Sequence, residues 1–155
     1  MDNRFMARAI RLSIDNVLSA RGGPFGAVIV KDGQAIAEAA NQVTSTNDPT
    51  AHAEVIAIRE ACSQLRRFDL TGCEIYTSCE PCPMCLGAIY WARIDRIYFA
   101  NDAADASQAG FDDSLLYQEL RRNHSQRKIP MVQMMREEGL EAFRAWKSSS
   151  NKIEY

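Results

Sequence analysis

Four side chains in two short stretches carry most of the chemistry this sequence offers: His52 and Glu54 in His52-Ala53-Glu54, and Cys82 and Cys85 in Pro81-Cys82-Pro83-Met84-Cys85. One imidazole and two thiolates are three ligands for a Zn²⁺ ion. A tetrahedral ion with three protein ligands keeps its fourth position for water, the arrangement of a catalytic zinc. Glu54 lies outside that ligand set and is the carboxylate placed to take a proton from the water and hand it to a substrate. The expectation is one Zn²⁺ per chain on His52, Cys82 and Cys85, with Glu54 as the catalytic acid and base.

Taken singly these residues are unremarkable in type, since a Cys-x-x-Cys pair also serves structural zinc and redox sites, and a histidine at a helix start is often a cap. Cys79 is the alternative fourth ligand, and with it the site would close and become structural. Cys79-x-x-Cys82-x-x-Cys85 also opens like an iron–sulfur run, but Ile89 stands where the next cysteine would be needed. Cys79 is therefore assigned to a strand end, and Cys62 and Cys73 to buried small hydrophobes.

The spacing dictates how the elements must hold these groups. Cys82 and Cys85 are three apart and share a helix face, whereas His52 and Glu54 are two apart and converge only at a helix end. A site off two helix N-termini solves both demands and adds free N–H groups and the positive dipole end, which favour thiolates and carboxylates. One helix is expected to open near residue 49, with Asp48 as its cap, Pro49 at its first position and an inward stripe of Val55, Ile58, Cys62 and Leu65. A second, over 83–92, is apolar nearly all round and expected to be covered, between buried strands at 73–78 and 94–100.

Upstream, Met6, Ile10, Ser13 or Ile14, and Val17 predict an inward helix face over 2–20, stopped by Gly22-Gly23-Pro24. Runs at 26–30 and 34–40 around Lys31-Asp32-Gly33 predict a hairpin. Downstream, helices over 112–122 and 137–149 flank an expected fifth strand at 130–135. The alternation of elements predicts an α/β fold, a three-layer α/β/α sandwich around one mixed five-stranded sheet.

The chain has 155 residues, 46% hydrophobic and 25% charged, which fits a single domain over 1–155 and excludes disordered, collagen-like or coiled-coil classes. Eighteen Lys and Arg against 20 Asp and Glu leave a formal net charge of −2, so no nucleic-acid partner is expected. No apolar run is long enough for a membrane span, and the charged N-terminal segment is unlike a signal peptide. Five cysteines, an odd number with three inside 79–85, suit a reducing compartment; the expected location is the cytoplasm.

The pattern H-x-E…P-C-x-x-C is the known signature of zinc nucleobase deaminases. Together with Gly22-Gly23-Pro24-Phe25-Gly26-Ala27-Val28, Asn41, Asn47-Asp48-Pro49-Thr50-Ala51-His52-Ala53-Glu54, the stretch 79–93, Ala109-Gly110-Phe111-Asp112-Asp113-Ser114 and the tail Asn151-Lys152-Ile153-Glu154-Tyr155, it makes the sequence resemble the cytidine deaminase superfamily along nearly its whole length. The resemblance is nearer to the small bacterial guanine deaminases. The first and third blocks are shared with related tRNA adenosine deaminases, while the Gly-Phe-Asp-Asp block and the tail point to guanine. It implies hydrolytic deamination of guanine to xanthine and ammonia in purine metabolism, with His52, Cys82 and Cys85 on zinc, Glu54 moving the proton, and Phe25, Asn41 and Asp113 meeting the purine base. It also implies a homodimer with exchanged C-terminal segments, in which 148–155 crosses over and Tyr155 closes the partner's site.

Read without the resemblance, those substrate residues keep alternatives. Phe25 is a wall for a purine or plain core. Asn41 is a hydrogen-bonding group for a base edge or a turn former. Asp112 or Asp113 is an acceptor for ring N–H groups or a helix cap. The segment after Ser148-Ser149-Ser150 is a lid or a soluble tail. Two other functions compete. A tRNA adenosine deaminase needs phosphate contacts, for which the dense basic stretch is Arg121, Arg122, Arg127 and Lys128 around His124, a pattern typical of a solvated face. A non-catalytic, structural zinc protein needs Cys79 as ligand.

Overall fold

Apolar runs too short for helices set the centre of the molecule. In the computed structural model, which describes residues 2–155, Gly26–Lys31 (β1), Gln34–Ala40 (β2), Cys73–Cys79 (β3) and Arg96–Asn101 (β4) form one mixed sheet in the order β2-β1-β3-β4. β1 runs antiparallel to β2 and β3, and β3 runs parallel to β4. Asp32 and Gly33 both have positive φ, 50° and 72°, the backbone that a two-residue hairpin turn requires. The chain divides into two compact units, Met1–Asp113 and Ser114–Tyr155.

Successive strand side chains point to opposite faces, so each face gathers its own core. Ala27, Ile29, Ala37, Ala39 and Ile75 pack with Ala53, Ala57 and Ala61 of the helix Ala53–Leu65 and with Ile89 of the helix Pro83–Trp91. Val28, Val30 and Tyr76 pack with Ala9 of the helix Asn3–Leu18. In chain order the helices are α1 (Asn3–Leu18), α2 (Val43–Thr46), α3 (Ala53–Leu65), α4 (Pro83–Trp91), α5 (Ala103–Gln108), α6 (Ser114–Arg121) and α7 (Arg136–Ser148). Helices of the first unit thus cover both faces of its sheet.

α1 is rotated from the face its apolar spacing predicts: Met6 packs on the core and Ser13 is buried as expected, but Ala9 and Asn16 complete the inward side, and Ile10, Ile14 and Val17 are exposed. The reason is Gly26, where an added Cβ would stand 2.3 Å from the Ala9 carbonyl oxygen. At that approach only small side chains fit between helix and strand.

α3 begins at residue 53 with His52 as its cap, four residues later than the Asp48-Pro49 signal predicts. Asp48 is spent locally: its Oδ1 accepts hydrogen bonds from the Thr50 backbone N–H at 2.8 Å and hydroxyl at 2.7 Å, a turn that competes with helix capping. The short α2, and α5 with its capping box between Asp102 and Asp105, were not anticipated.

Two expectations of coverage also fail within the chain. β4 is an edge strand and largely exposed. α4 buries Cys85 and Ile89 but leaves Tyr90 and Trp91 in the open.

The sheet has four strands, correcting the expected five. Residues 130–135 join no ladder among the described residues. Pro130 has no N–H to donate, and Val132 and Met134 are exposed. The second unit is α6, a 3₁₀ turn at His124–Gln126 and α7, close to the helices expected there. None of its described residues is buried. Among the described residues, no helix is long and apolar enough to cross a membrane.

Candidate active site

Two helix starts in the first unit build the site. His52 is the N-cap of α3, in extended backbone with φ −72° and ψ 152°, and its side chain makes no capping bond. Its carbonyl instead accepts from Ile56 N–H at 3.0 Å, so the imidazole stays free for another partner. Cys82 plays the same part for α4, with φ −62° and ψ 167°, Pro83 at the first helical position, and its carbonyl accepting from Leu86 N–H at 2.8 Å. Cys85 follows one turn on, fully buried.

His52 Nδ1 lies 3.7 Å from Cys82 Sγ and 3.4 Å from Cys85 Sγ. Around a tetrahedral zinc with Zn–N of about 2.1 Å and Zn–S of about 2.3 Å, nitrogen and sulfur ligands stand about 3.6 Å apart. All three ligand atoms gather within 4.8 Å of one another, and Cys79 is not among them. Its Sγ is instead 3.7 Å from the Asp102 carbonyl oxygen, and burial pushes its thiol up to about 11. The donor set therefore fits a zinc ion with three protein ligands and an open fourth position.

The three side chains also shift one another. Cys85, helped by His52, brings the Cys82 thiol down to about 4. Cys82 and burial push Cys85 up, and the contact with Cys82 raises His52. Such ligands must shed their protons to bind a cation. Glu54, in the first turn of α3, is buried. Burial is the main cause raising its carboxyl above the usual range.

The expected substrate residues of the first unit are near-neighbours. Asn41 N–H donates to the Phe25 carbonyl at 3.0 Å, joining the two through their backbones. Phe25 packs on the core and also meets Phe111 edge-on, with ring centroids 4.9 Å apart at 86°. Its packing is that of a core residue whose ring also meets a second aromatic. Asn41 is buried and its Oδ1 accepts from Val43 N–H at 3.2 Å, so it does form a turn. Asp113 is partly buried. Burial, and next the charge of Cys82, raise its carboxyl above the ordinary range. Tyr155 ends the other unit.

Two residues escaped the sequence reading. Phe111 was an aromatic beside an acidic pair, and its partnership with Phe25 is long-range. Asn16, in the last turn of an apparently amphipathic helix, is buried and donates to two carbonyls; an asparagine at a helical spacing from Ser13 and Ala9 was the available sign.

Residues 1–101 match the family described as the cytidine and deoxycytidylate deaminase zinc-binding region. The chain is 54% identical over 151 residues to the guanine deaminase of Bacillus subtilis (strain 168), covering 97% of each. An X-ray structure of guanine deaminase from Bacillus subtilis superposes with a TM-score of 0.97 at 53% identity, covering 100% of this chain and 99% of that one. The tRNA-specific adenosine deaminase of Aquifex aeolicus (strain VF5) is 47% identical over 87 residues, covering 56% of each chain.

Proposed function

The chain belongs to the cytidine and deoxycytidylate deaminase zinc-binding family, and from that premise we propose that it is a zinc hydrolase that converts guanine and water to xanthine and ammonia. The observation that carries guanine over tRNA is the extent of likeness. Similarity to the guanine deaminase runs through the second unit, while similarity to the tRNA enzyme spans 87 residues. The fold is the α/β type of that relative, and helices on both faces of the sheet support its α/β/α layering.

His52, Cys82 and Cys85 would hold the zinc, which would supply a water acidified to a pKa of about 7 and Lewis-acid stabilisation of developing negative charge. Glu54 takes one proton from the attacking water and passes it to a ring nitrogen next to the amino-bearing carbon, then moves the remaining proton of the added hydroxyl to the departing amine. A carbon–oxygen bond forms, the carbon–nitrogen bond breaks, and the amine leaves as ammonia. Phe25 gives the base an aromatic wall. The Asn41 amide hydrogen-bonds one edge of the base and the Asp113 carboxylate accepts ring N–H groups on another.

The functional form is a homodimer whose 148–155 segments are exchanged, with Tyr155 completing the partner's site. The supporting observation is burial. Leu115, Leu116, Leu120, Phe143, Trp146 and Ile153 of the second unit are all exposed, more apolar surface than a small unit leaves in water. Exposed Tyr90 and Trp91 on α4 offer apolar area in the first unit. The five free cysteines support a cytoplasmic location. The pairing of Arg122 with Glu119 at 2.7 Å within the basic stretch supports a small purine base over nucleic acid as the partner.

Ammonia release from guanine, adenine, cytosine, cytidine and tRNA, measured side by side, tests the reading. Release from guanine is expected. Release from tRNA that falls steeply with salt, with none from guanine, would replace it by RNA editing.

A further inference from the structure

α1 supplies no metal ligand and no acid or base, yet its Asn16 is 2% exposed with its amide turned toward the base-binding segments. Nδ2 donates to the Gly23 carbonyl at 2.9 Å and to the Asn41 carbonyl at 2.8 Å. Phe25 N–H donates to that same Gly23 carbonyl at 2.9 Å, and Asn41 N–H donates to the Phe25 carbonyl at 3.0 Å. These four bonds close a ring through Asn16, Gly23, Phe25 and Asn41. Two of its members are the proposed aromatic wall and base-edge group.

The chain is shaped around this ring. A Cβ on Gly22 would stand 2.4 Å from the Asn41 carbonyl oxygen and 2.9 Å from Asn16 Nδ2, closer than real Cβ atoms come. Glycine at 22 is what lets the loop pass under the clamp. Both Nδ2 hydrogens are committed to backbone oxygens, so the side chain acts on the loop and the strand end and not on a substrate.

We infer that Asn16 is a positioning residue for the purine: it locks the loop before Phe25 to the end of β2, and so sets the spacing between the wall and the base-edge group. The inference rests on the guanine reading above. Loosening the ring displaces Phe25 and Asn41 and leaves the zinc ligands and Glu54, on α3 and α4, in place. Base binding should weaken more than the chemical step, which appears as a raised KM with kcat little changed.

Asn16→Asp keeps the shape of the side chain, removes both donors and sets a carboxylate against two carbonyls. Gly22→Ala strains the same ring with Asn16 intact, so the test has a second variant if the first fails to fold. Val30→Ala, a core truncation on the α1 face of the sheet, serves as a control for lost stability alone. The measurements are KM and kcat for guanine, zinc per chain, guanine binding in a Glu54→Gln background, and backbone hydrogen exchange.

Expected in both ring variants are full zinc, a KM and a dissociation constant raised about 10-fold or more, and faster exchange at Phe25 and Asn41 with β3 unchanged. The control should keep its KM. Unchanged exchange at those two amides, or an unchanged KM despite faster exchange, would overturn the inference while guanine turnover by the unaltered protein stands. No ammonia from guanine with the unaltered protein would overturn both readings, which marks that failure off from a failure of the clamp alone.

Discussion

His52 Nδ1 stands 3.4 Å from Cys85 Sγ although 33 residues of chain separate them. The contact joins the starts of two helices of the first unit, α3 and α4, and brings together three ligand atoms within 4.8 Å of one another.

Purified protein is expected to carry about one zinc per chain. Cys82→Ala and His52→Ala should lose zinc and activity together, as read by metal analysis beside the ammonia assay. Cys79→Ser should keep both, because the buried Cys79 thiol faces the Asp102 carbonyl and stays protonated at neutral pH. Loss of zinc in Cys79→Ser would make the site a closed, structural one.

Glu54→Gln keeps the size of the side chain but cannot cycle a proton. Turnover of guanine should fall by about 10² to 10⁴, the share usual for general acid–base catalysis, with zinc retained. Near-normal turnover would remove Glu54 from the mechanism.

Asp113→Ala is expected to raise KM or depress kcat for guanine with folding and zinc content intact. Its carboxyl is partly buried in the first unit, and a carboxylate is the natural acceptor for guanine's ring N–H donors. Kinetics identical to the unaltered protein would return Asp113 to the role of helix cap.

Deleting residues 151–155 should cut guanine turnover strongly while zinc and circular dichroism stay unchanged. Mixing the truncated chain with full-length Glu54→Gln should restore part of the activity, because the intact tail and the intact proton carrier then come from different chains. Full activity of the truncated chain alone would show that the tail is dispensable.

Gly26→Ala is expected to destabilise the protein by about 1 to 3 kcal/mol through overpacking, since the new methyl meets the Ala9 carbonyl oxygen at 2.3 Å. A melting temperature within error of the unaltered protein would show that α1 can shift outward at little cost.

Much of the site was legible in the sequence because metal chemistry restricts residue type and spacing so tightly. Few patterns besides an open zinc site put an imidazole, a carboxylate two residues on and a Pro-Cys-x-x-Cys run at successive element starts. Hairpin, strands and the principal helices were legible for the same local reason: turn chemistry at Lys31-Asp32-Gly33 and Pro83 after a cap act over a few residues.

What the tertiary structure alone decided is wherever two segments compete for one space. Which side of α1 faces inward followed from Gly26 and the close approach it permits, against the apolar pattern of Ile10, Ile14 and Val17. The absence of a fifth strand among the described residues followed from the need for a ladder partner, which an extended sequence cannot supply by itself. Whether Cys79 joins the metal, and which carbonyls Asn16 holds, depend on distances between residues tens of positions apart. A sequence states what each residue can bond; only the folded chain states which partner comes within reach.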